Sequence, residues 1–554
     1  MSQKGLRLIY IVCLGTVLRL ANLGKKPLWL DEIITALLTS GQGYEIIPRE
    51  TLFSIQNIPS FFTYQPQSCS VIAGFLAEQS THPPLFFCVM HQWLGLSEGL
   101  NFLNLSLAVR LRLLPAILGI LAIILLYHLN RLAFSENAGL IGAGVMAVSP
   151  FAVYLGQEAR QYTLLLMFIA IALLALIKLL KPTRHSFVYW LVWGVANSLG
   201  CYTHYFFFLS FAAQIIILFL WFLRHSPQRL AILFGVVIGV IFSYLPWLPT
   251  VINHFSSSTT DWLPSVDFFS PLLQLFLGFV VMVIAFPVEN QPLIIQIVSG
   301  MFMLGFIGWF LYHVGLGYRK LLQEKTTQAA TVALSLYVGL VLLQFLLIIY
   351  GLEKNIAIAP RYNYVFYPAI CALLGASLAQ KTAQKISFKL LIAGGMGILS
   401  SAFVVFNLSF FKPYLPEITA QRFNQSSDPI LIVMGYKDEM DLALGLSYGL
   451  ALNNQRQENL TSEFIFFDHE QGYDKIWQAL SEIKLNASDV WVIGTGLKQV
   501  AFPEALGLNQ RKCQRDRANY YRIGIPYQRY VCSSEISRET FPETPLHNFF
   551  LAHW

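Results

Sequence analysis

Residues 162–181 read YTLLLMFIAIALLALIKLLK, a stretch with no charged side chain before Lys178. An α-helix of about 20 apolar residues spans the hydrocarbon core of a bilayer, so this stretch predicts a transmembrane helix. Apolar runs of similar length occur along most of the chain. The first follows Lys4 and Arg7 and ends at about Asn22. The others lie near 110–131, 137–157, 187–205, 206–223, 231–251, 293–316, 329–350, 364–380 and 390–411. The chain is therefore predicted to cross a membrane about eleven times.

The composition excludes the other classes of protein. A soluble chain of 554 residues would form about three or four domains. Here 55% of the residues are apolar, 12% are charged against about 25% in soluble domains, and the mean hydropathy is +0.56. A soluble protein could not bury that much apolar surface, and a disordered chain would not contain it. The predicted fold class is an all-α polytopic membrane protein.

The positive charges predict the orientation. When the spans alternate from a cytoplasmic N-terminus, their inner ends collect fourteen lysines and arginines, opposed only by Glu136 and Glu324. This is the pattern of the positive-inside rule, so the basic charge indicates topology and not nucleic-acid binding. This alternation of the spans requires that 84–100 and 271–287 be in-plane or re-entrant helices on the outer side. Counting both as spans gives thirteen, which is the alternative.

Two large regions then fall outside the membrane on the extracytoplasmic side: a first loop at 23–109 and a tail at 413–554. Residues 1–412 have a net charge of +11, whereas the tail has −4. The tail alternates strand-like and helix-like segments, which predicts a small α/β domain. These segments are the strands 429–434, 463–467 and 489–494 and the helices 437–453 and 473–484. Cys513 and Cys532 form a disulfide if the tail faces an oxidising compartment, or remain free thiols.

The first candidate for chemistry follows the first span, where Trp29-Leu30 precedes Asp31-Glu32. Two adjacent carboxylates at a membrane boundary can act as a general base or as metal ligands. The alternative is that Asp31 is only the N-cap of an amphipathic helix at 32–40.

Four other motifs with polar residues fall on the same predicted side of the membrane. They are His82 in Thr81-His-Pro-Pro-Leu85, Glu158 and Arg160 in Gln157-Glu-Ala-Arg-Gln-Tyr162, His204 in Tyr202-Thr-His-Tyr205, and Arg361 in Pro360-Arg-Tyr362. Each has a simpler reading: a turn for His82, a mutual ion pair for Glu158 and Arg160, an interfacial His204, and an Arg361 that snorkels to the headgroups. Boundary charges are nevertheless costly, and a guanidinium can bind a phosphate in a bidentate manner. Together they indicate transfer from a lipid phosphate.

These motifs, in this order, resemble the GT-C glycosyltransferases of the protein-O-mannosyltransferase and aminoarabinose-transferase type, over about residues 10–380. The resemblance rests on Asp31-Glu32, on His82 to Leu85, and on Arg112-Leu-Leu-Pro115 with Gly119. It also rests on the stretch from Ser149-Pro150 to Tyr162, on Tyr202 to Tyr205, and on Arg361-Tyr362.

The resemblance implies a helical bundle in a bacterial plasma membrane and a large outer loop with in-plane helices. Its donor would be a sugar on a polyprenyl phosphate, and its acceptor a glycan, lipid or protein. Asp31 and Glu32 would be catalytic. The substrate would contact His82, Glu158, Arg160, Tyr162, His204, Arg361 and Tyr362.

One departure concerns a metal. Many relatives have an Asp five residues after the Arg of a Ser-Arg pair, but here Gly156-Gln157 replaces the pair and Tyr162 replaces the Asp. Whether a divalent metal takes part is therefore left open, and no other cofactor is implied.

The mechanism that follows is direct displacement. Asp31 would deprotonate an acceptor hydroxyl, which attacks the anomeric carbon with inversion as the lipid phosphate leaves. The rival functions are a transporter or flippase of a lipid-linked substrate, a polysaccharide ligase or polymerase, and a receptor role for the tail. A transporter would be expected to have charges at the bilayer midplane and internal symmetry, and neither is visible.

Overall fold

The computed structural model describes residues 3–99, 104–181, 186–256, 266–380, 388–426, 428–457, 460–484, 487–509 and 511–532. Contacts divide the chain into two compact units. The helical unit contains Met1–Ile46 and Phe62–Lys412, and the sheet unit contains Ile47–Phe61 and the chain from Pro413 onward. A short segment of the predicted first loop thus belongs to the same unit as the tail, which the sequence analysis did not anticipate.

The described part of the helical unit is built from helices. These are α1 (Gln3–Leu20), α2 (Leu30–Ser40), α3 (Cys69–Gln79), α4 (Leu85–Glu98), α5 (Leu107–Ala133), α6 (Glu136–Val148), α7 (Pro150–Gly156), α8 (Tyr162–Leu179), α9 (Ser186–Cys201), α10 (Phe207–His225), α11 (Leu230–Tyr244), α12 (Leu248–Ser256), α13 (Ser270–Val283), α14 (Leu293–Gln323), α15 (Lys325–Leu346), α16 (Tyr367–Ala379) and α17 (Phe388–Val405). The predicted polytopic helical fold class is confirmed.

The number of spans is less sharply determined. In the described chain, seven helices or helix runs are long and apolar enough to cross a membrane, or eight if the bent pair α6–α7 is one span. The other three predicted spans correspond to α1, which contains three cations, and to the shorter helices α9 and α16. The stretches 84–100 and 271–287 form α4 and α13, each of 14 residues. Eleven crossings therefore stay a prediction.

The centre of the helical unit is formed by α5, α6, α8 and α16. In the apolar window of α8, 78% of the residues are buried within the protein, against 17% in α14. Small residues allow close approach, because a methyl group added to Gly375 of α16 would collide with the backbone of Gly142 in α6. Asn130 of α5 donates its Nδ2–H groups to the carbonyls of Ala138 (3.2 Å) and Ala372 (3.1 Å).

A bend between α6 and α7 brings the QEARQY segment close to the start of α2. The two helices meet at 62°. Ser149 caps α7 by accepting the N–H of Ala152, and Pro150 occupies the first helical position, where no N–H is needed. The Ser149 hydroxyl also donates to the carbonyl of Met282 (2.6 Å). The predicted span 137–157 is thus two helices.

The described part of the sheet unit is a seven-stranded mixed sheet in the order β1-β3-β2-β4-β7-β6-β5. Its strands are β1 (Phe53–Ser54), β2 (Ile430–Tyr436), β3 (Ser462–Asp468), β4 (Asp489–Ile493), β5 (Ala505–Leu508), β6 (Arg511–Ile523) and β7 (Ile525–Cys532). Its helices are α18 (Pro416–Phe423), α19 (Glu439–Asn453) and α20 (Asp474–Glu482). Strands β3, β2 and β4 are parallel, and the other pairs are antiparallel.

The α/β character predicted for the tail is confirmed, since each predicted strand and helix overlaps an observed one. The hairpin β6–β7 was not predicted from the sequence, nor was the edge strand β1, which comes from the first loop and pairs with β3.

Two disulfides are present in the described chain. Cys513 and Cys532 lie opposite each other on β6 and β7, and they are bonded, which settles the alternative left open by the sequence. The second disulfide, Cys69–Cys88, joins α3 to α4 and was not predicted.

Candidate active site

The two adjacent carboxylates lie in the first turn of α2. The helix begins at Leu30 with Trp29 as its N-cap, so Asp31 is not the cap residue. The Trp29 N–H instead donates to Glu32 Oε2 at 3.4 Å. An acidic first turn is favoured by the helix dipole, but the side chains of Asp31 and Glu32 point to different partners.

Glu32 forms a closed ion pair with Arg112 of α5. Arg112 donates from Nε to Oε1 (2.7 Å) and from Nη2 to Oε2 (2.6 Å), and both side chains are buried. The backbone N–H of Ala159 adds a further bond, at 2.9 Å. Burial by itself raises the pKa of Glu32, but Arg112 outweighs it and holds the pKa below the ordinary value. Glu32 therefore joins α2, α5 and the loop after α7, and its oxygens are occupied.

Asp31 is surrounded by positive charge and is not fully bonded. Its Oδ2 lies 3.4 Å from Arg361 Nη2 and 3.9 Å from Arg160 Nε, and it makes no hydrogen bond to any described residue. Burial by itself raises the pKa of Asp31, but the charges of Arg361, Arg160 and Lys412 together lower it. The carboxylate is thus ionised and has a lone pair free to accept a proton or a hydrogen bond.

Arg160 links Asp31 to His82. Its Nη1 donates to the carbonyl of Asp31 (3.0 Å) and to Thr35 Oγ1 (3.1 Å), and its Nη2 lies 2.8 Å from His82 Nε2. Because a guanidinium can only donate, His82 Nε2 must accept, and its Nδ1–H then donates to Ser80 Oγ at 2.9 Å. Burial and then the charge of Arg160 hold the pKa of His82 well below its ordinary value, so His82 is neutral.

His204 lies in an aromatic group with the tyrosines near the start of α8 and α16. Its ring centroid is 6.3 Å from that of Tyr162, 6.0 Å from Tyr362 and 5.6 Å from Tyr364. Burial, and then the charges of Arg160 and Arg361, lower the pKa of His204 to about 3. His204 is thus neutral, and because its Nδ1 accepts the N–H of Phe206 at 3.1 Å, its Nε2–H is the group that can donate to a ligand.

Arg361 lies in the short turn Pro360–Val365, and its side chain is 19% exposed. Its guanidinium carbon is 5.3 Å from the centre of the Trp29 ring and 5.7 Å from that of Tyr362. Its Nε is buried and has no partner among the described residues.

Glu158 does not pair with Arg160, as the simpler reading of the sequence supposed, but with Lys412. The ammonium of Lys412 lies 3.9 Å from the centre of the Trp29 ring and 3.2 Å from the Tyr154 hydroxyl. Burial lowers the pKa of Lys412 to about 7, against the opposing effect of Glu32 and Asp31. Lys412 was not predicted as a site residue, because it lies at the boundary between the last apolar run and the tail. The sequence feature that could have identified it is a lysine directly after the extracytoplasmic end of the last predicted span.

The structure therefore brings together all of the residues that the sequence singled out. Several buried polar atoms of this group have no partner among the described residues: Trp29 Nε1, Asp31 Oδ2, Glu158 Oε2, Arg160 Nε and Arg361 Nε. Buried polar atoms are normally hydrogen-bonded, so this concentration indicates the place of a polar ligand.

The chemistry of the group suits an anion and not a metal cation. No three His, Cys, Asp or Glu side chains of the described residues are grouped as metal ligands. Asp31 faces Arg160 and Arg361, whose charges repel a cation at that carboxylate. A divalent metal does not fit at Asp31.

Comparison with known proteins agrees with this architecture. The model of the family described as dolichyl-phosphate-mannose–protein mannosyltransferase matches residues 82–248, which include His82, Glu158, Arg160, Tyr162 and His204. No curated protein matches the sequence significantly.

Two solved structures share the fold over nearly the whole chain. Apo ArnT from Cupriavidus metallidurans is 12% identical, covers 96% of this chain and 98% of its own, and has a TM-score of 0.55. ArnT from the same organism bound to undecaprenyl phosphate is 12% identical, covers 97% and 100%, and has a TM-score of 0.54. The chain is thus similar to the dolichyl-phosphate-mannose–protein mannosyltransferases over residues 82–248, and it shares the fold of ArnT over nearly its whole length.

Proposed function

We propose that the protein transfers a sugar from a polyprenyl-phosphate donor to an acceptor hydroxyl at the extracytoplasmic face of a bacterial plasma membrane. The observation that carries the proposal is the state of Asp31, an ionised carboxylate with one unbonded oxygen that lies 3.4 Å from Arg361. A base and a phosphate-binding guanidinium at this separation can act in one displacement reaction, the base on the attacking hydroxyl and the guanidinium on the leaving phosphate.

In the proposed reaction, Asp31 accepts the proton of the acceptor hydroxyl as its oxygen bonds to the anomeric carbon. The bond between that carbon and the phosphate oxygen breaks, and the electron pair remains on the phosphate. Arg361 and Arg160 stabilise the charge that develops there. His204, which is neutral, can contribute a hydrogen bond but not a charge.

The same geometry favours inversion at the anomeric carbon. Retention by double displacement needs a second carboxylate as a nucleophile. Glu32 is bonded through both oxygens to Arg112 and also to Ala159, whereas Glu158 is paired with Lys412 through Oε1 only. Asp31 is the carboxylate of this group with the oxygen best placed to react, so we assign catalysis to Asp31 and a positioning role to Glu32.

The remaining predicted residues are proposed to contact the substrate. His82 and Arg160 form one continuous hydrogen-bonded unit beside Asp31. Tyr162, His204 and Tyr362 form an aromatic wall, and aromatic rings pack well against sugar or isoprenoid groups. The fold shared with ArnT in its complex with undecaprenyl phosphate supports a polyprenyl phosphate as the lipid.

The disulfides support the orientation of the site. Cys69–Cys88 lies in the predicted first outer loop and Cys513–Cys532 in the tail, and disulfides persist in oxidising compartments. The free cysteines of the described chain, Cys13, Cys201 and Cys371, belong to helices predicted to span the membrane. We therefore place the N-terminus in the cytoplasm, and Asp31 and the tail outside.

The test is consumption of radiolabelled polyprenyl-phosphate sugars by the purified protein, with an added acceptor. The comparison is between wild type, Asp31→Asn and the control Glu353→Gln, which removes a carboxylate from an exposed position. We expect wild type and the control to consume one donor and Asp31→Asn to lose at least about a hundredfold in rate, the contribution typical of a general base.

Two outcomes contradict the proposal. Retained transfer in Asp31→Asn would exclude Asp31 as the base. Failure of wild type to consume any donor across a broad panel would favour transport of a lipid-linked substrate.

A further inference from the structure

Lys412 adds a third cation to the surroundings of Asp31. The pKa of Asp31 is lowered by Arg361, Arg160 and Lys412 together. Lys412 is the last residue of the helical unit, and its side chain is 20% exposed. Its ammonium and the Arg361 guanidinium both lie against the ring of Trp29, at 3.9 Å and 5.3 Å from its centre.

When Lys412 is protonated, the group therefore holds more positive charge than its own carboxylates balance. The Glu32–Arg112 pair is closed by mutual hydrogen bonds. Outside that pair, Arg160, Arg361 and Lys412 face Asp31 and Glu158. An uncompensated buried charge is costly, so this arrangement favours a bound anion.

The proposed reaction moves a negative charge within this group. A sugar attached through a phosphodiester leaves one negative charge on the phosphate, whereas the released phosphomonoester carries up to two near neutral pH. In the same step Asp31 gains a proton and becomes neutral. The sum of the charges on Asp31 and the phosphate is unchanged, but the charge has moved from the carboxylate to the phosphate oxygen.

We propose that Lys412 is a phosphate-binding residue, and that Asp31 and the leaving phosphate share the same three cations, Arg160, Arg361 and Lys412. The inference rests on the proposed function. When Asp31 is protonated by the acceptor, the three cations interact with the phosphate alone. When Asp31 loses that proton again, its negative charge competes with the phosphate for the cations and promotes release of the lipid phosphate. Asp31 thus acts first as a base and then as the group that helps expel the product.

The proposal makes an unusual prediction for binding. A variant that cannot transfer sugar is expected to hold the lipid product more tightly. We would measure the affinity of the purified full-length protein for undecaprenyl phosphate in wild type, Asp31→Asn and the control Glu353→Gln. Removal of one negative charge close to the phosphate should tighten binding by about tenfold in Asp31→Asn and leave the control unchanged. Equal or weaker binding by Asp31→Asn would overturn the proposal.

The role of Lys412 is tested by a double-mutant cycle. Lys412→Gln should weaken undecaprenyl-phosphate binding, and the tightening caused by Asp31→Asn should be smaller in the double variant, because one shared cation is missing. Lys412→Arg, which keeps the charge, should restore the wild-type pattern. An undiminished effect of Asp31→Asn in the absence of Lys412 would remove Lys412 from the shared set.

Failure of this inference is distinguishable from failure of the proposed function. If wild type consumes a polyprenyl-phosphate sugar but Asp31→Asn does not bind undecaprenyl phosphate more tightly, the transferase stands and the shared-cation account is wrong. If wild type neither consumes such a donor nor binds undecaprenyl phosphate, the donor class is wrong as well.

Discussion

At the scale of single residues, two adjacent carboxylates have different surroundings. Glu32 makes two bonds to Arg112 and one to the backbone of Ala159, whereas Asp31 keeps an unbonded oxygen among cations. Both were predicted from the sequence as catalytic, since two adjacent carboxylates cannot be distinguished until the ion pairs of each are known. The partner of Glu32 lies 80 residues away in the chain, and only the fold brings it close.

This difference predicts different effects on stability. Glu32→Gln leaves the buried guanidinium of Arg112 without a counter-ion, so we expect the free energy of unfolding to fall by about 3–5 kcal/mol. Asp31→Asn removes a counter-charge from Arg361 and Arg160 but breaks no hydrogen bond of Oδ2, so we expect a smaller loss of stability than in Glu32→Gln. Thermal unfolding of the purified variants measures both. A loss of stability in Asp31→Asn as large as that in Glu32→Gln would show that Asp31, too, is chiefly structural.

The site residues could be predicted as candidates but not as contacts. Each of the nine predicted side chains lies in or beside the group around Asp31. They had been selected because the predicted topology puts all of them at one face of the membrane. Lys412 was not selected, and Arg112 was used only as part of a motif of the resemblance and not as a site residue. The pairing of Glu158 with Lys412 in place of Arg160 was not foreseen. Ion pairs between residues more than 250 positions apart depend on helix packing that no local pattern shows.

At the scale of elements, the break between α6 and α7 determines where the QEARQY segment lies. In a continuous helix over 137–157, Glu158 and Arg160 would follow along the axis of α6. With the observed 62° bend, Arg160 instead donates a hydrogen bond to the carbonyl of Asp31. The predicted span did not include this bend, because a proline at a helix N-terminus and a proline within a helix look alike in sequence.

The close contact of α6 and α16 gives a second stability prediction. Gly375→Val places a branched side chain against the backbone of Gly142 and the side chain of Asn130, so the helices must separate. We expect a loss of about 1–3 kcal/mol, typical of overpacking. Gly394→Val in α17 is the matched control, since a Cβ there meets open space. Thermal unfolding of the two variants compares them, and equal melting temperatures would contradict the close-packed interface.

In the sheet unit, local pattern predicted the buried strands but not the edges. β2 is buried at every residue and was read directly from its apolar run, as was β4. The hairpin β6–β7 has no such run and was missed, although its strands hold Cys513 and Cys532 in register. β1 has only two residues and pairs with a strand some 400 positions later, a contact that only the folded chain can show.

At the scale of the whole molecule, composition and charge predicted the class and the fold type. Mean hydropathy and the recurring apolar runs were sufficient for a polytopic helical protein, and the order of weak motifs was sufficient for the GT-C resemblance. The number of spans was not determined in the same way. Helices such as α9 and α16 are shorter than a simple span, so their length and composition alone do not assign them to the membrane.

The orientation is tested by labelling of introduced cysteines. Lys437→Cys in the sheet unit and Lys320→Cys at the end of α14 both replace exposed lysines. In intact cells, a membrane-impermeant maleimide should label the first and not the second, whereas permeabilised cells should show both. Labelling of Lys320→Cys in intact cells would invert the topology and place Asp31 on the cytoplasmic side.

The most direct test of the central claim is a single-turnover experiment that separates binding from chemistry. Purified wild type and Asp31→Asn would each be loaded with a stoichiometric amount of the polyprenyl-phosphate sugar that wild type consumes, and the bound fraction determined. An acceptor is then added, and the release of lipid phosphate is followed with time. The account predicts that both proteins bind the donor but that only wild type cleaves it, with inversion at the anomeric carbon. Cleavage at the wild-type rate by Asp31→Asn would contradict it.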